Sequence, residues 1–290
     1  MALIKFTKDQ IVKRLRWVMI GAILFSVVNT LIGQPESFWQ HPETAIRGDG
    51  LSIYNPTNHT FEFNLGLGWQ AYLITSLLYV LGAFLFVYIL PRKAALIAIF
   101  SFIFSHFFGA TNWLANRWHL GTNASSIYCF VLVPIIVFSA FPALSPNTDR
   151  ILKRLYWVML IPMLCDMIFT LLGQPAGYLL HPEIAHEANP VSRFFLTHGW
   201  YAFIFMFLMF FSGIYWLVSI LPQRFAFMVV FYFMLVNYVG ACCWYFYEWR
   251  MGMVTPVIFG ILLSAIIVLL AFPTSKNTNS QELVPNGLSR

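Results

Sequence analysis

The sequence predicts an all-α integral membrane protein. Eight transmembrane helices would arise from a tandem duplication of a four-helix unit, with both termini inside. The prediction rests on composition, on eight apolar segments of membrane-spanning length, and on a repeated series of motifs. Of the 290 residues, 59% are hydrophobic and 10% are charged, and the mean hydropathy is +0.73. A soluble domain carries about 25% charged residues, so this chain belongs in a lipid bilayer.

The apolar segments are long enough to cross a membrane as helices, which takes about 17–25 residues. Lipid offers no hydrogen-bond partner for the backbone, so each segment must satisfy its own N–H and C=O groups as a helix. The predicted spans are residues 17–33, 69–90, 94–113, 122–142, 157–173, 199–221, 225–246 and 254–272.

Residues 14–142 and 154–273 form two copies of one four-helix unit. Nine of nineteen positions are identical between residues 17–35 and 157–175. Further motifs match in the same order: His41–Glu43 with His181–Glu183, Asn55–Pro56 with Asn189–Pro190, Gly68–Trp69 with Gly199–Trp200, and Gly109, Trp113 and Trp118 with Gly240, Trp244 and Trp249. Self-similarity of this kind indicates an internal repeat.

The orientation follows from the basic residues, which concentrate on the cytoplasmic side of a membrane protein. Thirteen Lys and Arg residues lie in the predicted inner segments and four in the outer ones. The inner segments include a basic N-terminus at 1–13, a linker loop at 143–153 and a disordered tail at 274–290. Two copies with the same orientation would be related by an axis along the membrane normal, and a cavity between them is the natural place for a ligand.

Composition also excludes several classes of protein. The net charge of +6 follows from topology and does not indicate nucleic-acid binding. The four cysteines lie in apolar spans without metal-ligand or disulfide spacing, which favours a packing role. The basic N-terminus lacks a small-residue cleavage site, so the first apolar run is a span and not a signal peptide.

Polar residues concentrate between Cys165 and Trp200. Asp166 is the only acidic residue inside an apolar span, and Thr170 shares its helix face four residues later. A carboxylate at membrane depth predicts either a functional site or a buried pair that fixes packing. The candidate partners for Asp166 are His106, Arg193 and Arg250.

The candidate ligand-binding residues are Asp166, Thr170, Gln174, His181, His186 and Glu187. Gly173 and Pro175 predict a helix end with a glycine C-cap, where Gln174 would either cap free carbonyls or contact a ligand. His181 would bind a ligand or hold its loop in place. Six of the seven histidines lie in predicted outer segments, so the site is expected to face outward.

Asn189 and Pro190 form a good helix start, with Asn as the N-cap and Pro in the first turn. One helix from Pro190 to Leu221 would be too long for a single span, so a short interfacial or re-entrant helix is predicted near residues 190–197. Its positive N-terminus favours Glu187 or an anionic ligand nearby. No His-x-x-x-His pair or His-Glu-x-x-His motif is present, and no metal site is predicted.

The Asp166-x-x-x-Thr170 helix, the helix-ending glycine and the Glu187-Ala188-Asn189-Pro190 turn together resemble a set of small, uncharacterised bacterial membrane proteins. Those proteins carry an Asp-x-x-x-Thr helix and a Glu-x-Asn-Pro turn. The first copy departs from the pattern, with Ser26 in place of the aspartate. The resemblance implies a bacterial membrane protein and no particular activity.

The leading functional hypothesis is a multi-pass protein of the bacterial inner membrane that binds or transports a small polar or ionic ligand. The first alternative is an intramembrane enzyme that acts on a lipid-linked or envelope substrate, with His181 and Glu187 as its reactive residues. The second is a structural or assembly subunit whose polar loop docks a partner. The expected partners are the lipid bilayer and the ligand, an oligomer is compatible with the sequence, and no cofactor is assigned.

Overall fold

A computed structural model describes residues 8–45, 59–116, 118–121, 123–141, 146–245, 249, 251–252 and 254–272. Within these ranges all regular secondary structure is helical and no strand occurs, which confirms the all-α prediction. The α-helices are α1 (Lys8–Ile32), α2 (His59–Gly66), α3 (Trp69–Ile89), α4 (Arg92–Asn116), α5 (Asn123–Ala140), α6 (Pro146–Leu172), α7 (Pro190–Thr197), α8 (Trp200–Ile220), α9 (Gln223–Cys243) and α10 (Val254–Ala271).

Eight helices, all except the short α2 and α7, are long and apolar enough to cross a membrane, and they coincide with the eight predicted spans. The protein is therefore a polytopic membrane protein. α7 confirms the predicted short helix near residues 190–197. The predicted tail at 274–290 lies outside the described residues.

The linker prediction was wrong for residues 146–153, which belong to α6. Pro146 is the first residue of this helix. Proline has no backbone N–H, and a first-turn N–H would have no partner within the helix, so proline carries no penalty at this position. The Nε2 amide of Gln223 donates to Oδ1 of Asp149 at 2.6 Å, which joins the start of α6 to the start of α9. Likewise α1 begins at Lys8, inside the segment predicted as a basic N-terminus.

The long helices share one hydrophobic core. α1 packs along α4, and α6 packs along α9. α5 packs against α9 and α10 against α4, so the last span of each predicted copy lies against the other copy. The ring centroid of Phe141 lies 4.3 Å from that of Phe227 and 6.0 Å from that of Phe272. The two predicted copies are therefore interlocked in a single bundle.

The glycines at the ends of α1 and α6 are required by packing and not by a left-handed turn. Gly173 donates its N–H to the Phe169 carbonyl at 2.8 Å and so continues the helical pattern. A Cβ there would overlap the ring of Trp244, and a Cβ at Gly33 would meet the ring of Trp113 at 2.9 Å. The predicted glycine C-cap is thus corrected to a site of close ring contact.

Other local features also recur in the two halves. A hydrogen bond of 3.2 Å joins Nδ1 of His41 to Glu43, and the same bond at the same length joins His181 to Glu183. Gly68 and Gly199 precede spans with φ angles of 117° and 107°, a region that favours glycine. These similarities agree with a tandem duplication, which stays a prediction from the sequence.

The contact between Gly173 and Trp244 makes a testable stability prediction. Gly173→Ala should destabilise the protein by about 1–3 kcal/mol, because the new methyl group forces the Trp244 ring to move in a packed site. Gly213→Ala is the matched control, since a Cβ at Gly213 meets nothing within 4 Å. Thermal unfolding in one detergent measures both, and equal midpoints for the two variants would contradict the packing explanation.

Candidate functional site

A cavity of about 810 Å³ lies among α4, α5, α6, α7, α8 and α9. Two of these helices belong to the first predicted copy and four to the second, so the cavity lies between the halves. Its polar wall includes side chains from the turn before α7, from α7 itself and from four spans, α4, α5, α6 and α9. The cavity therefore lies where the sequence analysis expected a ligand.

Four of the six candidate residues line this cavity: Asp166, Thr170, His186 and Glu187. Gln174 and His181 are absent from its lining. Asp166 and Glu187, which have no acidic counterpart in the first copy, thus share one cavity, and they lie close enough to interact electrostatically. His181, which the sequence analysis placed in the same site, lies elsewhere on the loop.

Asp166 projects from α6 against the backbone of α9. A Cβ built on Gly240 would lie 2.5 Å from each carboxylate oxygen, so only glycine leaves room for this side chain. Asp166 is half-buried, with its remaining accessible surface in the cavity. Among the described residues, its carboxylate has no hydrogen bond and no cation within ion-pair distance.

Of the predicted partners for Asp166, two are engaged elsewhere. Nε2 of His106 lies 3.1 Å from the Tyr79 hydroxyl in a bond between α4 and α3, so the prediction for His106 was wrong. Nε of Arg193 donates to the backbone carbonyl of Glu187 at 2.5 Å, within the cavity wall. Arg250 lies outside the described residues. The aspartate is thus left with a carboxylate facing the cavity.

Thr170 lines the cavity, but its hydroxyl and its carbonyl are both engaged in hydrogen bonds within the protein. Its hydroxyl accepts a hydrogen bond from Nε1 of Trp244 at 2.9 Å, and only 3% of the residue is exposed. Its backbone carbonyl accepts from Nε2 of Gln174 at 2.7 Å. Thr170 therefore joins α6 to α9 beside the cavity and fixes the relative positions of the two helices.

Gln174 caps a carbonyl and also anchors the loop before α7. Its Nε2 donates to the Thr170 and His186 carbonyls, at 2.7 and 3.0 Å. Its Oε1 accepts from the backbone N–H of His186 at 2.8 Å. Of the two roles that the sequence left open, the capping role is the one observed, and it positions His186 and Glu187 over the cavity.

His181 holds its own turn. Nδ1 lies 3.2 Å from Oε1 of Glu183, and both side chains are about two-thirds exposed. The pKa of Glu183 is lowered, first by a hydrogen bond from its own backbone N–H and then by His181. Of the two roles considered for His181, the contacts favour the one in the loop.

Asn189 caps α7 as predicted. Its side-chain oxygen accepts from the backbone N–H groups of Val191 and Ser192, at 2.9 and 3.3 Å. Oε1 of Glu187 accepts from the Asn189 N–H at 2.8 Å. The anionic neighbour expected at this helix start is therefore Glu187, and the capping contacts occupy these N–H groups.

Glu187 lies in the cavity wall, and this burial raises its pKa above the usual 4.5. Hydrogen bonds from Asn189 and Ala188 and the nearby Arg193 and His186 oppose the rise only in part. Among the described residues, no group of three or more His, Cys, Asp or Glu side chains is placed to hold a metal ion. Of the groups available in the cavity, carboxylates suit a positively charged ligand.

Sequence reasoning missed several polar residues of the spans that line the cavity, among them Asn112 of α4, Ser125 of α5 and Asn237 of α9. Nδ2 of Asn237 donates to the Phe233 carbonyl of its own helix at 2.7 Å. The available signal was a lone amide within an apolar segment. Such residues are rare in spans and usually face the bundle interior.

The raised pKa of Glu187 predicts a pH effect on stability. In the window above its usual value of 4.5, the folded protein binds a proton at Glu187 more readily than the unfolded chain does. The free energy of unfolding therefore rises as pH falls through this window. Glu187→Gln keeps the acceptor for Asn189 and removes the titration, so wild type should gain stability relative to this variant between about pH 7 and about pH 4.

Thermal unfolding of wild type and variant at matched pH values measures this difference. Asp166, His186 and Arg193 face Glu187 and are present in both proteins, so the comparison removes most of their own titration. Glu183→Gln is the control. Relative to this variant, wild type should gain no stability as pH falls, because the pKa of Glu183 is lowered. A wild-type protein that loses stability relative to Glu187→Gln as pH falls would contradict the burial of Glu187.

Comparison with known proteins gives no relative from which a role could be transferred. No protein-family model, no curated protein and no solved structure matches this chain. A role for the cavity has to be inferred from the side chains that line it.

Proposed function

We propose that the protein binds a ligand carrying a positive charge in the cavity between its halves, with Asp166 as the counter-charge. One observation carries this proposal. The Asp166 carboxylate faces the cavity, and among the described residues it has neither a hydrogen bond nor a cation within ion-pair distance. A carboxylate at membrane depth is costly unless it is paired, and a bound cation supplies the missing partner.

The charges around the cavity favour a cation over an anion. Asp166 and Glu187 are acidic, while Arg193 is the only Lys or Arg among the lining residues described. Arg193 is directed to the Glu187 carbonyl, and the first N–H groups of α7 are occupied by Asn189. An anion would meet the Asp166 carboxylate with Arg193 as the single Lys or Arg side chain to offset it among the lining residues described, whereas an ammonium group would gain a charge-assisted hydrogen bond.

Transport is the form of binding that the architecture favours. Two copies of a four-helix unit with the same orientation would place a central site between the halves, as in transporters built from parallel repeats. The Gly33–Trp113 and Gly173–Trp244 contacts and the paired His–Glu turns support the duplication behind this proposal. The proposed setting is a bacterial inner membrane, with both termini inside and the cavity near the outer face.

The enzyme alternative receives less support. It relied on His181 and Glu187 acting together, but His181 is absent from the cavity lining and is bonded to Glu183. The remaining candidates, Asp166, Glu187 and His186, form no nucleophile with an adjacent base of the kind that covalent catalysis requires. The assembly-subunit alternative gives no reason for a carboxylate that faces a cavity.

The proposal predicts that Asp166→Asn abolishes cation binding. Purified wild type should show a rise in thermal unfolding midpoint with methylammonium, guanidinium or tetramethylammonium, because a ligand that binds only the folded state adds about 2.7 kcal/mol at 100 times its Kd. Asp166→Asn should lose this rise, and Glu183→Gln, in an exposed loop, should keep it. A rise of equal size in wild type and Asp166→Asn for every cation would overturn the proposal.

A second prediction tests the position of the carboxylate without removing its charge. Gly240→Ala should weaken cation binding at least tenfold, because the new methyl group displaces both oxygens of Asp166. Gly109→Ala is the matched control in the other half, where a Cβ would lie an ordinary 3.8 Å from the Ser26 hydroxyl. Titration by the same thermal assay distinguishes them, and full affinity in Gly240→Ala would show that the carboxylate position is unimportant.

A further inference from the structure

The cavity has a polar end and an apolar end. The polar end lies by the turn before α7 and holds Asp166, Glu187 and Arg193. The apolar end lies deeper along α8 and α9, where Met206, Phe207, Phe210, Phe233 and Val236 line the cavity beside the polar groups of Asn237, Tyr232 and Ser126. A compact cation bound at Asp166 would leave the apolar end of the cavity unfilled.

The length of the cavity exceeds that of a small cation. Lining residues of α9 extend from Tyr232 to Trp244, which is about 18 Å at 1.5 Å per residue. A volume of about 810 Å³ lies in the range of pockets that hold ligands of drug or cofactor size. The cavity therefore fits a charged group that continues into an apolar body.

The apolar end also reaches the lipid-facing surface. Phe210 lies midway along α8 and lines the cavity, yet 47% of it is exposed. Phe203 and Phe207 line the same wall nearer the start of α8 and are only 4% and 7% exposed. The lining of α8 is thus buried along its first turns and accessible at the centre of the span, where lipid chains would surround the protein.

The helices that flank α9 at this level are α5 and α8. Both helices pack against α9 and both contribute lining residues. On the α5 side, the Tyr232 hydroxyl donates to Ser126 at 2.9 Å, and on the α8 side the rings of Phe210 and Phe233 have centroids 5.2 Å apart. These contacts hold α5 and α8 to α9 and leave the space between α5 and α8 as the route considered for a ligand.

We propose that the ligand is an amphiphile with an ammonium head group and a hydrocarbon tail, and that it enters the cavity from the bilayer between α5 and α8. This inference rests on the proposed function, because the head group is the cation that Asp166 binds. The tail lies along Phe207, Phe210 and Val236. Relative to the ligand free in water, burial of the tail raises the affinity in proportion to its apolar area, by about fourfold for each methylene group.

A chain-length series tests the inference. Wild-type protein in nanodiscs of phosphatidylglycerol is titrated with n-alkylammonium ions from methyl to dodecyl, with empty nanodiscs subtracted and with n-alkanols of equal length as uncharged probes. Affinity referred to the free aqueous concentration should rise steeply with chain length, alkanols should bind more weakly than the matching ammonium ions, and Asp166→Asn should remove that advantage.

A substitution pair locates the tail. Val236→Trp should fill the apolar end of the cavity, so that the affinity for alkylammonium ions no longer rises with chain length. Leu208→Trp adds the same side chain at a similar depth of α8, at a residue that is 56% exposed and absent from the lining, and should preserve the dependence. If Val236→Trp fails to fold, the wild-type chain-length series decides the matter by itself.

The outcomes distinguish failure of the amphiphile proposal from failure of the proposed cation site at Asp166. Binding of methylammonium that requires Asp166 but does not strengthen with chain length would overturn the amphiphile and leave the cation site standing. Binding that is indifferent to Asp166 at every length would overturn both. Nanodiscs that contain phosphatidylethanolamine identify the source of the head group: competition with dodecylammonium indicates a membrane lipid, and its absence indicates a free amphiphile.

Discussion

The close approach of α6 to α9 is the contact on which the rest of the site depends. Gly173 and Gly240 lie on this interface, and at both positions a Cβ would collide with the facing side chain. The Trp244 ring covers Gly173 and its Nε1 donates to Thr170 at 2.9 Å. This bond fixes the two helices at the level of the cavity, so the carboxylate of Asp166 is presented between them and not toward lipid.

The loop above the cavity depends on the same helix end. Gln174 follows Gly173 directly. Its Nε2 donates to the Thr170 and His186 carbonyls, and its Oε1 accepts from the His186 N–H. Through these bonds the end of α6 places Glu187, and Glu187 in turn accepts from the N-cap residue of α7. The polar end of the cavity is therefore one connected unit, and beside it the Asp166 carboxylate has no hydrogen-bonding partner among the described residues.

Local signals in the sequence were sufficient for the spans and for α7, because apolar length and an Asn-Pro helix start act within one segment. The site was predicted only in part. His181 and Glu187 lie six residues apart, but His181 bonds to Glu183 two residues away and takes no part in the cavity. Spacing along an irregular loop does not determine where a side chain points. Asn112 and Asn237 were missed because a single amide in a span becomes informative only when its neighbours in space are known.

The two halves differ at positions that the predicted duplication equates, and in the second half some of these positions line the cavity. In the first half, His106 is bonded to Tyr79, and the Asn29 amide joins Trp118 and the Ala110 carbonyl. In the second half, the positions equated with Tyr79 and His106 are Phe210 and Asn237, both of which line the cavity. Phenylalanine cannot make the bond that tyrosine makes, so the contact that joins α3 to α4 has no equivalent between α8 and α9.

Asp166 replaces the Ser26 of the first half at the same helix contact. A serine hydroxyl in a span can bond to the helix that carries it, whereas a carboxylate needs a donor or a cation from outside its own helix. In the first half, His106 and Asn29 have their hydrogen-bond partners inside the protein. The second half keeps the same helix contacts and leaves a carboxylate facing a cavity, which is the arrangement expected of a scaffold whose missing partner is supplied by a ligand.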